Sequence, residues 1–264
     1  MGIIFVSCPI DSNFDCMNEI PLFSIITVTW NAGSMIAPTL LSVKEQTFTH
    51  YEYLVVDGAS TDDTLPQVNA AGIAGTRVVS ERDKGLYDAM NKAIGLARGR
   101  YLIWLNAGDA FATPHSLMRI AEQAQGNPGV IYGQTQLVDS NRQVTGMRHL
   151  TAPRHLTAQS FKQGMLVCHQ AFVARRDIVP HYDLQYRFSA DYDWCIGVLK
   201  ASTANAYVGD EPIISFLNDG LTSQNHKASL MERYRIMCHH YGTLPTVARH
   251  VGFVLRHLRR QFAR

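Results

Sequence analysis

This chain has no uninterrupted apolar stretch approaching the roughly 18 residues a helix needs to cross a bilayer, which disfavours an integral membrane protein. It has no Cys-x-x-Cys pair: its five cysteines, Cys8, Cys16, Cys168, Cys195 and Cys238, are odd in number and scattered. A structural zinc site is thereby disfavoured, and a reducing cytoplasm is the expected location. An excess of charge of one sign is missing too, with 24 Lys and Arg against 22 Asp and Glu. That balance argues against a dedicated nucleic-acid binder, and the arginines near the end of the chain have no interleaved aromatic platform. No Gly-rich phosphate loop follows the first strand, where Trp30-Asn31-Ala32-Gly33 stands instead, which sets aside a nucleotidyltransferase acting on sugar phosphates. Residues 1–20 hold a short apolar patch, Ile3-Ile4-Phe5-Val6, followed by Asp11, Asp15 and Glu19. This is too short and wrongly flanked for a signal peptide, and it is expected to be a weakly ordered lead-in.

What is present is alternation. At 264 residues and 46% hydrophobic, the chain is long enough for one large α/β domain. Phe23–Thr29 is rich in β-branched residues and is followed by a turn, then by a helix expected from an N-cap at Ser34 to about Gln46. A second strand, Tyr53-Leu54-Val55-Val56, ends in Asp57-Gly58, and a helix and a short strand, Arg77-Val78-Val79, follow. Leu86, Met90, Ala93, Ile94 and Ala97 recur at helical spacing. The apolar run Tyr101-Leu102-Ile103-Trp104-Leu105 then breaks into Asn106-Ala107-Gly108-Asp109, with a helix over about 114–125 and a strand at Val130-Ile131-Tyr132 beyond it. Such alternation implies βαβ units around a mostly parallel, Rossmann-like central sheet flanked by helices. Right-handed crossovers place Thr29-Trp30-Asn31, Asp57-Gly58 and Asn106–Asp109 on one edge of that sheet, where ligands of open α/β folds bind. Turn formation alone also explains Asn, Gly and Asp at such places.

The runs FSIITVTWNA, YEYLVVDGASTDDT and VVSERDKGLYDAMNKAIGLARGRYLIWLNAGD carry a family likeness. In order and spacing they resemble the family 2 glycosyltransferases, in the branch that includes the colanic-acid, exopolysaccharide and O-antigen transferases, and the likeness extends over roughly residues 22–200. The resemblance implies a GT-A fold, with a nucleotide-sugar-binding half at 21–133, an acceptor half at 134–225 and a C-terminal basic helical region at 226–264. It implies an inverting transferase of hexosyltransferase type, moving a sugar from a UDP- or GDP-sugar to an oligosaccharide or polyprenyl-diphosphate-linked acceptor of cell-surface polysaccharide. The diphosphate leaving group gains charge as the glycosidic bond breaks, so a divalent cation or basic side chains must stabilise it. Mn²⁺ or Mg²⁺ suits carboxylates and phosphate oxygens. The family's acidic motif corresponds to Asn106–Asp109, so Asp109 is the expected metal ligand.

Further roles follow residue by residue from the likeness. Asp57, with Thr29 and Asn31, is expected at the base or ribose, and Asn106 belongs to the same donor pocket. The family often carries an Arg where this chain has Met90, which makes Lys84 the candidate for charge compensation, while Asp88 is expected either at sugar hydroxyls or paired with basic neighbours. In Ser189-Ala190-Asp191-Tyr192-Asp193, Asp191 matches the family's catalytic acid and is the expected base, with Asp193 as fallback. Ser189 as an N-cap and the helix dipole account for the same residues structurally. His169, in Cys168-His169-Gln170, is expected near the acceptor. In the loop from His181 to Arg187, aromatic rings are equally suited to sugar stacking or packing. Val251, Val254, Leu255, Leu258 and Phe262 alternate with Arg249, Arg256, Arg259, Arg260 and Arg264 as an amphipathic basic helix, suited either to an anionic membrane surface or to docking on the domain. A different class, a non-catalytic nucleotide-sugar-binding scaffold on the same fold, is the alternative that Gly108 and Met90 suggest.

Overall fold

The computed structural model describes residues 20–218 and 226–250. The lead-in before Ile20 and the amphipathic stretch from Val251 lie outside the described residues. Strands β1 (Phe23–Thr29), β2 (Tyr51–Asp57), β3 (Thr76–Ser80) and β4 (Tyr101–Trp104) alternate with helices α1 (Ile36–Lys44), α2 (Thr64–Ala71) and α3 (Leu86–Leu96). Next come β5 (Ala110–Phe111), α4 (Ser116–Glu122), β6 (Val130–Val138), β7 (Val144–Met147), β8 (Phe172–Arg175), α5 (Ala190–Ala201), β9 (Asn205–Leu217) and α6 (His226–Tyr241).

The strands form one sheet in the order β3-β2-β1-β4-β8-β6-β9-β5, with β7 paired to the later part of β6, past the residues that pair with β8. From β3 to β4 it is parallel throughout, as the alternation implies. Beyond β4 it is mixed, because β8 runs antiparallel to both β4 and β6, and β5 to β9. The sheet is therefore less parallel than expected. A division at 133/134 would cut β6, whose ladder with β9 runs from Val130 to Val138. Nor does α6 stand apart, since Ser189 Oγ meets Ser229 Oγ at 2.9 Å and Glu232 accepts the backbone N–H groups of Arg187 and Phe188.

Local chemistry sets the ends of these elements. α1 begins after Met35 rather than Ser34. The preceding turn is fixed from outside, with Gly33 N–H donating to Asp62 and Ala32 N–H to Thr64 Oγ1, so the cap position moves on by one. Ser189 does stand at the N-cap of α5, but its hydroxyl faces Ser229 instead of its own helix.

Two devices lock the parallel half. Glu52 on β2 is buried, and it accepts hydrogen bonds from Ser24 Oγ (2.6 Å), Arg98 N–H (2.5 Å) and Arg77 (2.9 Å). Burial alone would raise this carboxyl, yet these donors hold it below its ordinary range, so its stabilising contribution is present near neutrality and fades as pH falls through that lowered value. Beside it the chain entering β4 passes against β1 with no room for a side chain: a Cβ on Gly99 would lie 2.4 Å from Ser24 N and 2.5 Å from Phe23 C. The obstacle is backbone, so it cannot rotate away. Gly99→Ala is expected to destabilise the protein by about 3 kcal/mol, read as a lowered urea midpoint; a loss under about 0.5 kcal/mol would contradict this close approach.

Candidate active site

The ends of β1, β2 and β4 share one edge, with Thr29 opposite Asp57 and Ile26 opposite Trp104. At this edge Thr29 Oγ1 and Asn106 Oδ1 are buried and without a hydrogen-bond partner among the described residues. Buried polar atoms are ordinarily paired, so two orphans at neighbouring strand ends mark a place built to receive polar groups. Asn31 joins the loops beside them: its N–H donates to Ser60 Oγ (2.7 Å) and its Oδ1 accepts from Thr61 N–H (2.9 Å). Trp30, 67% exposed, stands at the same mouth.

Asp57 is placed differently from the expectation of a base or ribose contact. Its carboxylate is fully buried, with Ser60 N–H (2.9 Å) and Ser80 Oγ (2.6 Å) on Oδ2 and Ser60 Oγ (2.5 Å) on Oδ1. It anchors the loop that carries Ser60, and so acts on the pocket through Asn31. Asp88 accepts the Lys84 N–H at 2.9 Å across the first turn of α3 and stands 4.0 Å from Lys92 Nζ, which is the pairing with a basic neighbour that the sequence offered. The side chain of Lys84 is exposed beside it, with no partner among the described residues.

Asp109 is only 5% exposed and joins four elements. Its Oδ2 accepts from Gln170 Nε2 (2.7 Å) and its Oδ1 from Leu217 N–H (3.0 Å), while its carbonyl accepts from Thr39 Oγ1 (2.6 Å) on α1. Thr39 also takes the Gly108 N–H, so the turn 106–109 is pinned from below. The Cys168 thiol donates to Gln170 Oε1 (2.9 Å), which leaves the amide nitrogen facing Asp109. Burial pushes that thiol up to about 11, so it remains a donor. Arg142, in the hairpin between β6 and β7, donates to Gly108 O at 2.5 Å, and its charge acts on Asp109.

This donor set does not fit a metal held by the protein. Asp109 has both oxygens in protein hydrogen bonds, and a guanidinium stands beside it. Among the described residues no three His, Cys, Asp or Glu gather as a ligand group. On this geometry Asp109 is a structural strut rather than the expected metal ligand.

The acceptor-side expectations divide. His169 is 5% exposed and stacks on Trp104 (5.8 Å between centroids, 17°), with Nε2 2.8 Å from Tyr182 Oη. Burial lowers its pKa to about 4, so it is a neutral core residue and not an acceptor contact. Tyr182 and Tyr186 are also buried, so packing wins over sugar stacking for the loop that holds them. Asp193, the fallback base, turns to α6, where His240 Nε2 meets its Oδ1 at 2.7 Å. Asp191 is half-buried in the first turn of α5 and receives Tyr87 Oη (3.3 Å) and the Tyr192 N–H (2.9 Å) on Oδ1. Its Oδ2 has no partner among the described residues. Gln170, Arg142 and Tyr87 are the contributors that the sequence did not single out for these contacts; only Gln170 carried a signal, as the neighbour of His169.

Burial raises the Asp109 carboxyl to about 7, against about 3.9 in an unfolded chain. Between those values the folded protein holds a proton that the unfolded chain releases, so this group's contribution to stability grows as pH falls through about 7. Wild type is therefore expected to gain stability relative to Asp109→Asn from about pH 8 to about pH 6, measured by urea unfolding at both. A pH-independent difference would show that Asp109 does not titrate there.

Comparison with known proteins agrees with this architecture. Residues 24–182 match the family described as Glycosyl transferase family 2. A PGL/p-HBAD biosynthesis glycosyltransferase of Mycobacterium tuberculosis is 36% identical over 184 residues, 67% of this chain and 69% of its own. The Escherichia coli UDP-Glc:alpha-D-GlcNAc-diphosphoundecaprenol beta-1,3-glucosyltransferase WfgD is 30% identical over 121 residues, 46% of this chain and 48% of its own. In fold, residues 1–349 of S. aureus TarS in complex with UDP-GlcNAc superpose with a TM-score of 0.67 at 19% identity, over 81% of this chain and 64% of that one. A mannosyltransferase of Pyrobaculum calidifontis in complex with GDP-Man and Mn²⁺ gives 0.57 at 14% identity, over 89% and 76%. With the family match covering more than half of its length, and the sheet and its neighbours those of the GT-A fold, this chain belongs to glycosyl transferase family 2 and is a glycosyltransferase.

Proposed function

We propose that this protein transfers a sugar from a nucleotide-sugar donor, UDP- or GDP-linked, to a hydroxyl of a lipid-linked or oligosaccharide acceptor in cell-surface polysaccharide assembly, with inversion at the anomeric carbon and Asp191 as the base. The observation that carries this reading is the Tyr87–Asp191 hydrogen bond. It ties the first turn of α5 to the first turn of α3, which follows the same sheet edge that carries the orphaned Thr29 and Asn106, and it leaves Asp191 Oδ2 without a partner among the described residues. The nucleotide sugars bound to the structural neighbours support the donor class. The diphosphoundecaprenol in the name of the Escherichia coli relative supports the acceptor class.

In the proposed step the acceptor oxygen bonds to the anomeric carbon as the bond from that carbon to the phosphate oxygen breaks. The electron pair leaves on the diphosphate, and the acceptor proton passes to Asp191 Oδ2. Thr29, Asn31 and Asn106 orient the nucleotide. Mn²⁺ or Mg²⁺ is the sequence expectation for charge on the leaving group, but both oxygens of Asp109 already accept protein hydrogen bonds and the charge of Arg142 acts on it. Among the described residues no helix is long and apolar enough to cross a membrane. Peripheral contact of the arginine-rich stretch 249–264 with anionic lipid would bring the domain to a lipid-linked acceptor.

Titration of purified protein with a panel of UDP- and GDP-sugars is expected to show donor binding, and Asp191→Asn is expected to retain it while transfer falls by at least about a hundredfold. Transfer by Asp191→Asn at near wild-type rate would remove Asp191 from the role of base, and absence of binding to every donor would overturn the function.

A further inference from the structure

We infer that the diphosphate of the donor is held by the guanidinium of Arg142, and that it binds without a divalent ion. The inference rests on the donor reading above and adds to it the group that meets the leaving charge. Three observations converge on the turn 106–109. First, position 108 cannot offer a carboxylate: Gly108 has φ +96, and a Cβ there would lie 3.0 Å from Leu217 Cδ2. Second, the neighbouring acid, Asp109, has each oxygen answered by Gln170 and Leu217. Third, a cation already occupies this place, because Arg142 Nη1 bonds to Gly108 O at 2.5 Å.

Arg142 is suited to an anion. It is half-buried, and burial lowers its pKa against the opposing influence of Asp109, but a guanidinium remains charged in proteins. Of its five N–H groups, one is spent on Gly108 and no other has a partner among the described residues. A planar fork with free donors is the geometry that binds phosphate oxygens in pairs. The ligand side is marked separately by Asn106 in the same turn and by Thr29 on the adjacent strand, both with buried unpaired oxygens. Arg142 itself adopts φ +64, a left-handed conformation uncommon for a non-glycine residue, which the hairpin maintains through Asp139: its side chain accepts the Asn141 and Gln143 N–H groups, and its carbonyl the Arg142 N–H. Lys84, the sequence candidate for this charge, lies beyond β3, two strands from β1, and its side chain makes no contact with the turn.

The test is calorimetric titration of UDP and GDP, and of the corresponding monophosphates, into the full chain in EDTA and again with Mn²⁺. The better-binding nucleoside diphosphate is expected to bind in EDTA within about threefold of its affinity with Mn²⁺. Arg142→Gln is expected to weaken the diphosphate at least about tenfold, the weight of a charge-assisted hydrogen bond, and the monophosphate by much less, with Arg142→Lys recovering part of the loss. Equal weakening of both nucleotides would assign Arg142 to supporting the turn alone and overturn the inference. Binding that requires Mn²⁺ and is unchanged in Arg142→Gln would overturn it while leaving the glycosyltransferase reading intact. No nucleotide binding in either condition would overturn both.

Discussion

A carboxylate taken out of water has to have its oxygens answered, and in this protein the answer to Asp109 ties the turn after β4 to elements from the other half of the sheet. Its partners come from the approach to β8 and from the end of β9, while its backbone is tied to α1. None of these is near it in sequence. The parallel strands could form without them, but the turn after β4 would then be an ordinary surface loop. With them it is a fixed floor, against which Leu217 packs and to which Arg142 is latched.

Behind that floor lies an aromatic seam. Trp104 at the end of β4 stacks on His169 and meets Tyr182 and Trp194 edge-on, while Tyr182 stacks on both Trp194 and Tyr87. Each such pair contributes about 0.5–1.5 kcal/mol beyond the area it buries, and their larger effect is geometric. Rings leave few ways to pack, so α5 is set against α3 with little freedom. The outermost ring, Tyr87, presents its hydroxyl to Asp191, and in this way the placement of an acid at the rim depends on the packing of the core.

The parallel half was legible because its signals are local. β-branched runs, a helical apolar stripe and acid- or amide-bearing turns identify β1, β2, β4 and α3 within a residue or two. β9 was not legible, since Gly209-Asp210-Glu211 interrupts it: the ladder with β6 passes from Tyr207 to Pro212. The site divides in the same way. The orphaned Thr29 and Asn106 lie at the edge that the alternation points to, whereas Asp191 was offered only by the family likeness. His169 looked available because a histidine beside a short apolar run carries no mark of the ring 65 positions earlier that covers it. Arg142 was not singled out by the sequence, because its partner at Gly108 is 34 positions away. Asp57 and Asp109 were legible as important acids but not as buried ones: exposure of a strand-end carboxylate is decided by the loops that fold over it.

The left-handed backbone at Gly108 also bears on descent. An acid there would need both a different backbone at that residue and a shift of the Leu217 side chain, on a strand more than a hundred positions further along the chain. Neither change is of use without the other, and the first alone strains the turn that Asp109 depends on. The route between this turn and an acid-rich one therefore passes through a poorer protein, and lineages on either side of it will tend to stay where they are.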